Sequence, residues 1–222
     1  MNAEHYRSLK RSFDVGASSV GLIVLSPLMA IIAMTVRLKM GSPFLFRQRR
    51  VGLNECLFTL CKFRTMRDST VGEEQFVTDA KRVTRLGRFL RSTSLDELPT
   101  LWNVLKGDMS LVGPRPLVAE YLPLYSERER KRHSVRPGIT GLAQVSGRQA
   151  LTFRQRFAID VEYVESQNLL LDLQILFRTL ATVVSSRGVK TGQSFSEVDD
   201  IGAQEALSAG QNLAIDAVEE TP

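Results

Sequence analysis

Residues 15–36 read VGASSVGLIVLSPLMAIIAMTV, twenty-two residues without a charge, set between Asp14 and Arg37. As one helix this run is about 33 Å long at ~1.5 Å per residue, enough to cross the hydrocarbon core of a bilayer. Ser26-Pro27 stands at its centre. Proline lacks a backbone donor and clashes with the preceding turn, so a break or kink is expected there. Both flanks are basic: Arg7, Lys10 and Arg11 precede the run, and Arg37, Lys39, Arg47, Arg49 and Arg50 follow it. The positive-inside preference draws both flanks to the cytoplasmic side. A chain that enters the membrane, turns at Ser26-Pro27 and returns satisfies both. The residues alone also leave open a kinked span and a buried hairpin of a soluble protein. No small-x-small site follows the run before Arg37 and Lys39, so a cleaved signal peptide is not expected.

Working outward, residues 43–51 and 56–64 are β-rich runs around Gly52-Leu53-Asn54-Glu55 and predict a hairpin. Residues 67–78 are polar and predict a mobile loop. Over 80–91, Val83, Leu86, Phe89 and Leu90 share one helical face and Arg82, Arg85, Arg88 and Arg91 another, a pattern suited to a membrane surface or to a core-packed helix. Leu98, Leu101, Trp102 and Leu105 predict a helix over 97–106, stopped by Gly107. An interrupted helix is expected over 117–132, loops over 134–148, and helices near 152–166 and 169–186. The expected fold is α+β and mostly helical: a membrane-inserted helix-break-helix over 1–40, then a catalytic domain over 41–190 with a β-hairpin and amphipathic interfacial helices around a small core. An acidic, mobile tail is expected over 191–222.

Charge divides along the same lines. Residues 191–222 hold seven acidic residues and no Lys or Arg, which leaves residues 1–190 with 29 basic and 17 acidic side chains, a net +12. Such a body suits an anionic partner: phosphates, nucleic acid or anionic lipid headgroups. Cys56 and Cys61 are too few and too close for a disulfide framework and read as packing residues of a reducing compartment.

Chemistry points to Asp96 and Glu97, an adjacent acid pair in Ser94-Leu95-Asp96-Glu97-Leu98-Pro99. Part of this is helix punctuation: Asp96 can serve as an N-cap, and Ser94 with Glu97 fits a capping box. A helix start also suits a phosphate, and two carboxylates there can hold Mg²⁺ together with substrate phosphate oxygens. An aspartate so placed can act as a nucleophile toward phosphorus. Lys62, Arg64 and Arg91 upstream, and Arg115 and Arg148 downstream, fit a phosphate substrate. Pro114 and Pro116 restrict the backbone on either side of Arg115. No GxxxxGK[ST] loop or strand-borne GxGxxG occurs, and His5 and His133 are the only histidines, which excludes a multi-histidine metal site.

A set of motifs resembles the bacterial sugar transferases, the monotopic phosphoglycosyl transferases, over residues 9–189. They are Lys10-Arg11 with Asp14, Ser26-Pro27, Arg50-Val51-Gly52, Lys62-Phe63-Arg64-Thr65-Met66, Thr93 to Pro99, Gly107 to Pro116, Pro137 to Leu142, and Val145 to Arg148. The resemblance implies transfer of a hexose-1-phosphate from a UDP-sugar to undecaprenyl phosphate with release of UMP, the first membrane step of exopolysaccharide or other surface glycan synthesis. It further implies Mg²⁺ at Asp96 and Glu97 and a phosphosugar carried on Asp96. Lys62, Arg64, Pro114, Arg115, Pro116 and Arg148 are then substrate-binding residues, with Asp160 and Asp172 as further candidates. It favours the re-entrant reading of Ser26-Pro27, on the cytoplasmic face of the bacterial inner membrane among its phospholipids. The sugar is left open, with glucose and galactose the leading expectations, and a homodimer is compatible with the reading. Glu55, Ala143 and Glu162 depart from the family pattern, in which glycine, Trp and Tyr are common. Two alternatives remain: a membrane-tethered nucleic-acid-binding protein, disfavoured because no aromatics interleave a basic sheet, and a non-catalytic scaffold, disfavoured by the intact acid pair.

Overall fold

The structure is a computed structural model and describes residues 3–67, 82–147, 151–184 and 199–202. Most of the polar segment expected at 67–78, Arg148, and most of the tail expected from 191 lie outside the described residues. The order is α1 (Ala3–Met40), β1 (Leu45–Val51), β2 (Leu57–Phe63), α2 (Arg85–Ser92), α3 (Thr100–Lys106), β3 (Ser110–Val112), α4 (Glu127–Arg130), β4 (Gly138–Thr140), α5 (Leu142–Ser146), α6 (Phe153–Ser166) and α7 (Leu169–Val184). β1 pairs with β2, and β3 with β4. The mixed α+β architecture and the hairpin are as expected. The loops expected over 134–148 contain β4 and α5.

The N-terminus departs from expectation. Helical structure runs unbroken through Pro27, so there is one helix of 38 residues rather than two joined at a break. It is the one helix among the described residues that is long and apolar enough to cross a membrane. A proline at 27 leaves the Ile23 carbonyl, four residues earlier, without its usual backbone donor. Ser26 Oγ donates to that carbonyl at 2.7 Å. The neighbouring serine thus supplies the missing hydrogen bond, and the helix continues.

The chain divides into two compact units. In the first, α1 lies along the remaining elements with one face buried. Arg11 donates to the carbonyls of Val104 (2.6 Å) and Leu105 (2.8 Å) at the end of α3. Asp14 Oδ1 accepts from Leu111 N–H at 3.0 Å. Near the other end, Ile32 and Val36 enter a core with Phe63 and Leu90, with Leu86, Leu95 and Leu98 packed against it. The opposite face of α1 is apolar yet exposed: Val20, Ile23, Val24, Ile31, Met34 and Leu38. That is the reverse of a soluble helix, in which the exposed face is polar.

The second unit is built around Tyr121, Tyr125, Phe153 and Phe157, with edge-on ring contacts at 4.8–5.4 Å for Tyr121–Phe153 and Tyr125–Phe157. Thr152 and Gln155 form a capping box that starts α6. The tail has a described anchor here: Ile201 packs against the aromatic cluster, and Asp200 accepts from Arg154 N–H at 3.1 Å. The hairpin turn holds Asn54 and Glu55 in the left-handed region, φ +51 and +62. Glycine adopts that conformation most readily, and Glu55 stands there with both carboxylate oxygens bonded to Arg130 Nη1 at 2.7 and 2.8 Å.

Candidate active site

The acid pair sits on a single 3₁₀ turn, Leu95–Glu97, between α2 and α3. Ser94 precedes it with φ +56 and makes no side-chain cap, so the expected capping box is absent and Asp96 is not a helix N-cap. The sharp reversal at Ser94 separates the two helices, and α3 begins only at Thr100, whose hydroxyl bonds back to the Glu97 carbonyl. Helix capping therefore does not account for the two carboxylates.

One contact ties the turn to β2, and others hold the two flanking helices to the segment that carries Lys62. Lys62 Nζ meets Glu97 Oε1 at 2.5 Å. Asn103 on α3 donates to Thr59 O (2.7 Å) and accepts from Cys61 N–H (3.1 Å), pinning the helix to the strand that carries Lys62. On the other side α2 approaches so closely that a Cβ at Gly87 would lie 1.9 Å from the Thr65 carbonyl oxygen. That approach lets Arg91 Nε donate to Thr65 Oγ1 at 3.0 Å. Asp96 itself is only 9% exposed. Burial, and then repulsion from Glu97, hold its carboxyl above the usual carboxylate range, with Lys62 and Arg91 pulling the other way.

The donor set suits a hard cation. Asp96 and Glu97 supply carboxylate oxygens, and their mutual repulsion is what a divalent ion would relieve. Mg²⁺ binds to one or two carboxylates and takes its remaining ligands from water and substrate phosphates. No cluster of three or more His, Cys, Asp or Glu that could hold a metal ion occurs among the described residues.

The other residues singled out from sequence fall into different settings. Arg64 is buried, and its guanidinium donates to the carbonyls of Met66, Ser42 and Pro43 at 3.1–3.5 Å. In the second unit, Arg115 is exposed between the buried Pro114 and Pro116. It repels Arg50 and Arg156: burial first, and then Arg115, bring Arg50 down to about 10 and lower Arg156. Asp160 is buried against Arg132 at 2.7 Å. Asp172 is buried and accepts from Tyr163 Oη at 2.7 Å. Both aspartates have protein partners that account for their burial. Burial, and then the neighbouring arginines, push His133 down to about 3, which leaves it neutral at physiological pH. Sequence reading did not single out Arg132. It stands in ordinary basic surroundings in the sequence, and only its burial marks it.

The pattern of the bacterial sugar transferase family matches residues 5–186. The chain belongs to that family. It is 46% identical over 200 residues to the uncharacterized sugar transferase EpsL of Bacillus subtilis (strain 168), covering 88% of this chain and 99% of the relative. It is 41% identical over 196 residues to the exopolysaccharide production protein ExoY of Rhizobium meliloti (strain 1021), covering 81% and 87%. It is 42% identical over 187 residues to the UDP-glucose:undecaprenyl-phosphate glucose-1-phosphate transferase of Caulobacter vibrioides, covering 80% and 70%. This member of the family carries a buried Asp96 and a half-buried Glu97 on a turn that Lys62 ties to β2.

Proposed function

We propose that this sugar transferase moves a sugar-1-phosphate from a UDP-sugar to undecaprenyl phosphate, initiating a surface glycan, with Asp96 as nucleophile. The observation that carries the reading is the buried carboxylate of Asp96, released from capping and flanked by Glu97, Lys62 and Arg91. The family relationship and the activity for which the Caulobacter relative is named support the substrate classes.

In the first half-reaction an Asp96 oxygen attacks the phosphorus bonded to the sugar. The diphosphate P–O bond breaks, and UMP leaves with the bridging oxygen. The sugar phosphate is then an acyl-phosphate on Asp96. In the second, an oxygen of undecaprenyl phosphate attacks the same phosphorus, the Asp96–phosphorus bond breaks, and the carboxylate is restored. Lys62 holds Glu97 in place and places positive charge beside the reacting phosphates. Glu97 and Asp96 together would hold Mg²⁺, which when bound offsets repulsion between carboxylate and phosphate. Arg115 and Arg148 serve the substrate's phosphates or uridine. Glucose and galactose are the favoured sugars.

The packing of α1 bears on the membrane arrangement. Arg11 and Asp14 toward one end and Ile32 and Val36 toward the other all pack on the same unit. This supports a helix that enters the lipid from one side with both flanks toward the cytoplasm, its apolar outer face in the acyl chains. Such a depth suits a soluble nucleotide-sugar meeting a lipid phosphate at headgroup level.

The test is direct. The detergent-purified chain, incubated with UDP-glucose or UDP-galactose and Mg²⁺ but no lipid, should gain the mass of a sugar phosphate. Added undecaprenyl phosphate should remove the adduct. Asp96→Asn keeps the side chain's size and should fold while losing both adduct and UMP release. Normal turnover in a folded Asp96→Asn protein overturns the mechanism.

A further inference from the structure

The turn Pro114-Arg115-Pro116 has little backbone with which to hold itself. Both prolines lack an N–H, so a donor-poor turn can be fixed mainly through its carbonyls. Four carbonyls in succession are each held by a different donor. Gly138 N–H reaches Pro114 O at 2.9 Å. Arg132 Nη2 reaches Arg115 O at 2.8 Å. Arg50 Nη1 reaches Pro116 O at 3.4 Å. Val51 N–H reaches Leu117 O at 2.9 Å. Gly113 just before the turn tolerates no side chain, because a Cβ there would lie 2.4 Å from Arg136 O.

Arg132 differs from the other donors. It is 2% exposed, and its whole guanidinium is engaged. Nε and Nη2 meet Asp160 Oδ2 at 3.1 and 2.7 Å, and Nη1 meets Tyr125 Oη at 3.0 Å. The plane also stacks over the rings of Tyr125 (5.6 Å) and Phe157 (5.1 Å). A buried ion pair of this kind is a weak source of stability, since well-packed apolar residues often replace it without loss. What an apolar replacement cannot supply is the bond to the Arg115 carbonyl. Like charges nearby make that bond matter, because Arg115 repels both Arg50 and Arg156 and its backbone must resist being pushed aside.

We propose that Arg132, locked by Asp160 and Tyr125, is a positioning residue that aims the exposed Arg115 through its carbonyl. This gives Asp160 a role: it holds the residue that holds the turn. The inference rests on the reading of Arg115 as a substrate-binding residue.

A double-mutant cycle on the full chain in detergent tests it, with UMP release from UDP-glucose and from UDP-galactose as the readout. Arg132→Lys keeps the charge beside Asp160 but loses the planar fork that reaches two acceptors at once. A misplacement of about 1 Å can lower turnover on the order of 100-fold, so Arg132→Lys is expected to lower kcat/KM by roughly 10- to 100-fold. In an Arg115→Ala background the same change should cost less than about threefold, because the group being aimed is gone. Equal losses in both backgrounds would make Arg132 an ordinary core staple and overturn the proposal. An Arg115→Ala protein with unchanged kcat/KM would instead overturn the substrate-binding reading of Arg115, and the positioning role with it. Should Arg132→Lys fail to fold, Tyr125→Phe removes only the Nη1 acceptor and keeps the ring. It should lower kcat/KM several-fold in the parent chain and leave the Arg115→Ala background unchanged; an equal loss in both again overturns the proposal.

Discussion

Replacing Ser26 by alanine isolates the device that carries α1 through its proline. The Ile23 carbonyl accepts from Ser26 Oγ at 2.7 Å, in the position where Pro27 has no N–H to offer. Without the hydroxyl the carbonyl is orphaned on a helix whose exposed face is apolar. An unsatisfied polar group costs about 1–3 kcal/mol in protein surroundings, and more in hydrocarbon. At roughly 2–4 °C per kcal/mol for a chain of this size, Ser26→Ala should lower the Tm in detergent by about 3–10 °C. The fluorescence of Trp102, the single tryptophan, on the helix packed beside α1, can follow the transition. The decisive comparison uses a Pro27→Ala background. There the N–H of residue 27 can return to the Ile23 carbonyl, and Ser26→Ala should change the Tm by less than about 1 °C. The same drop in both backgrounds would refute the reasoning, because the serine would then be stabilising the helix by some route unrelated to the proline.

Four further outcomes follow from other parts of the molecule. Asp96 must be ionised to attack, so the acid limb of kcat/KM should lie above the ordinary aspartate value of 3.8; Lys62→Met should move it to higher pH and Glu97→Gln to lower pH, and shifts of opposite sign refute the assignment. The same raised pKa means folding disfavours the ionised form, so Asp96→Asn should raise the Tm at neutral pH, with the gain vanishing below about 3.8 when both states are protonated. Ile23 is 74% exposed on α1, and Ile23→Asp should weaken partition into phospholipid vesicles by ~3 kcal/mol, about 100-fold, as measured by flotation; unchanged flotation would mean that this face does not meet lipid. Ile201→Ala should lower stability by about 1 kcal/mol in thermal unfolding, since the side chain is only partly buried against the aromatic cluster; no change would show that this contact does not hold the tail.

The sequence by itself determined the elements whose signals are local. The uncharged run 15–36, the hairpin around Gly52-Leu53-Asn54-Glu55, and the spacing of Leu98, Leu101, Trp102 and Leu105 each state a periodicity or a turn chemistry that neighbours in the chain can satisfy. The adjacent carboxylates and the Pro-Arg-Pro turn were legible for the same reason. Tertiary structure decided what those residues do. Proline at 27 predicts a break only until the Ser26 hydroxyl is placed on the Ile23 carbonyl, a matter of side-chain rotamer. Ser94 and Glu97 spell a capping box, yet the left-handed backbone at Ser94 puts the chain on a 3₁₀ turn where no cap forms. Arg64 and Arg91 look equivalent as nearby positive charges. Packing buries one among the carbonyls of Ser42, Pro43 and Met66 and brings the other beside Thr65, close enough to act on Asp96. Arg132 and Asp160 lie 28 residues apart in the chain. Their union beneath the Arg115 carbonyl depends on the aromatic core that excludes water from both, and no local pattern encodes that.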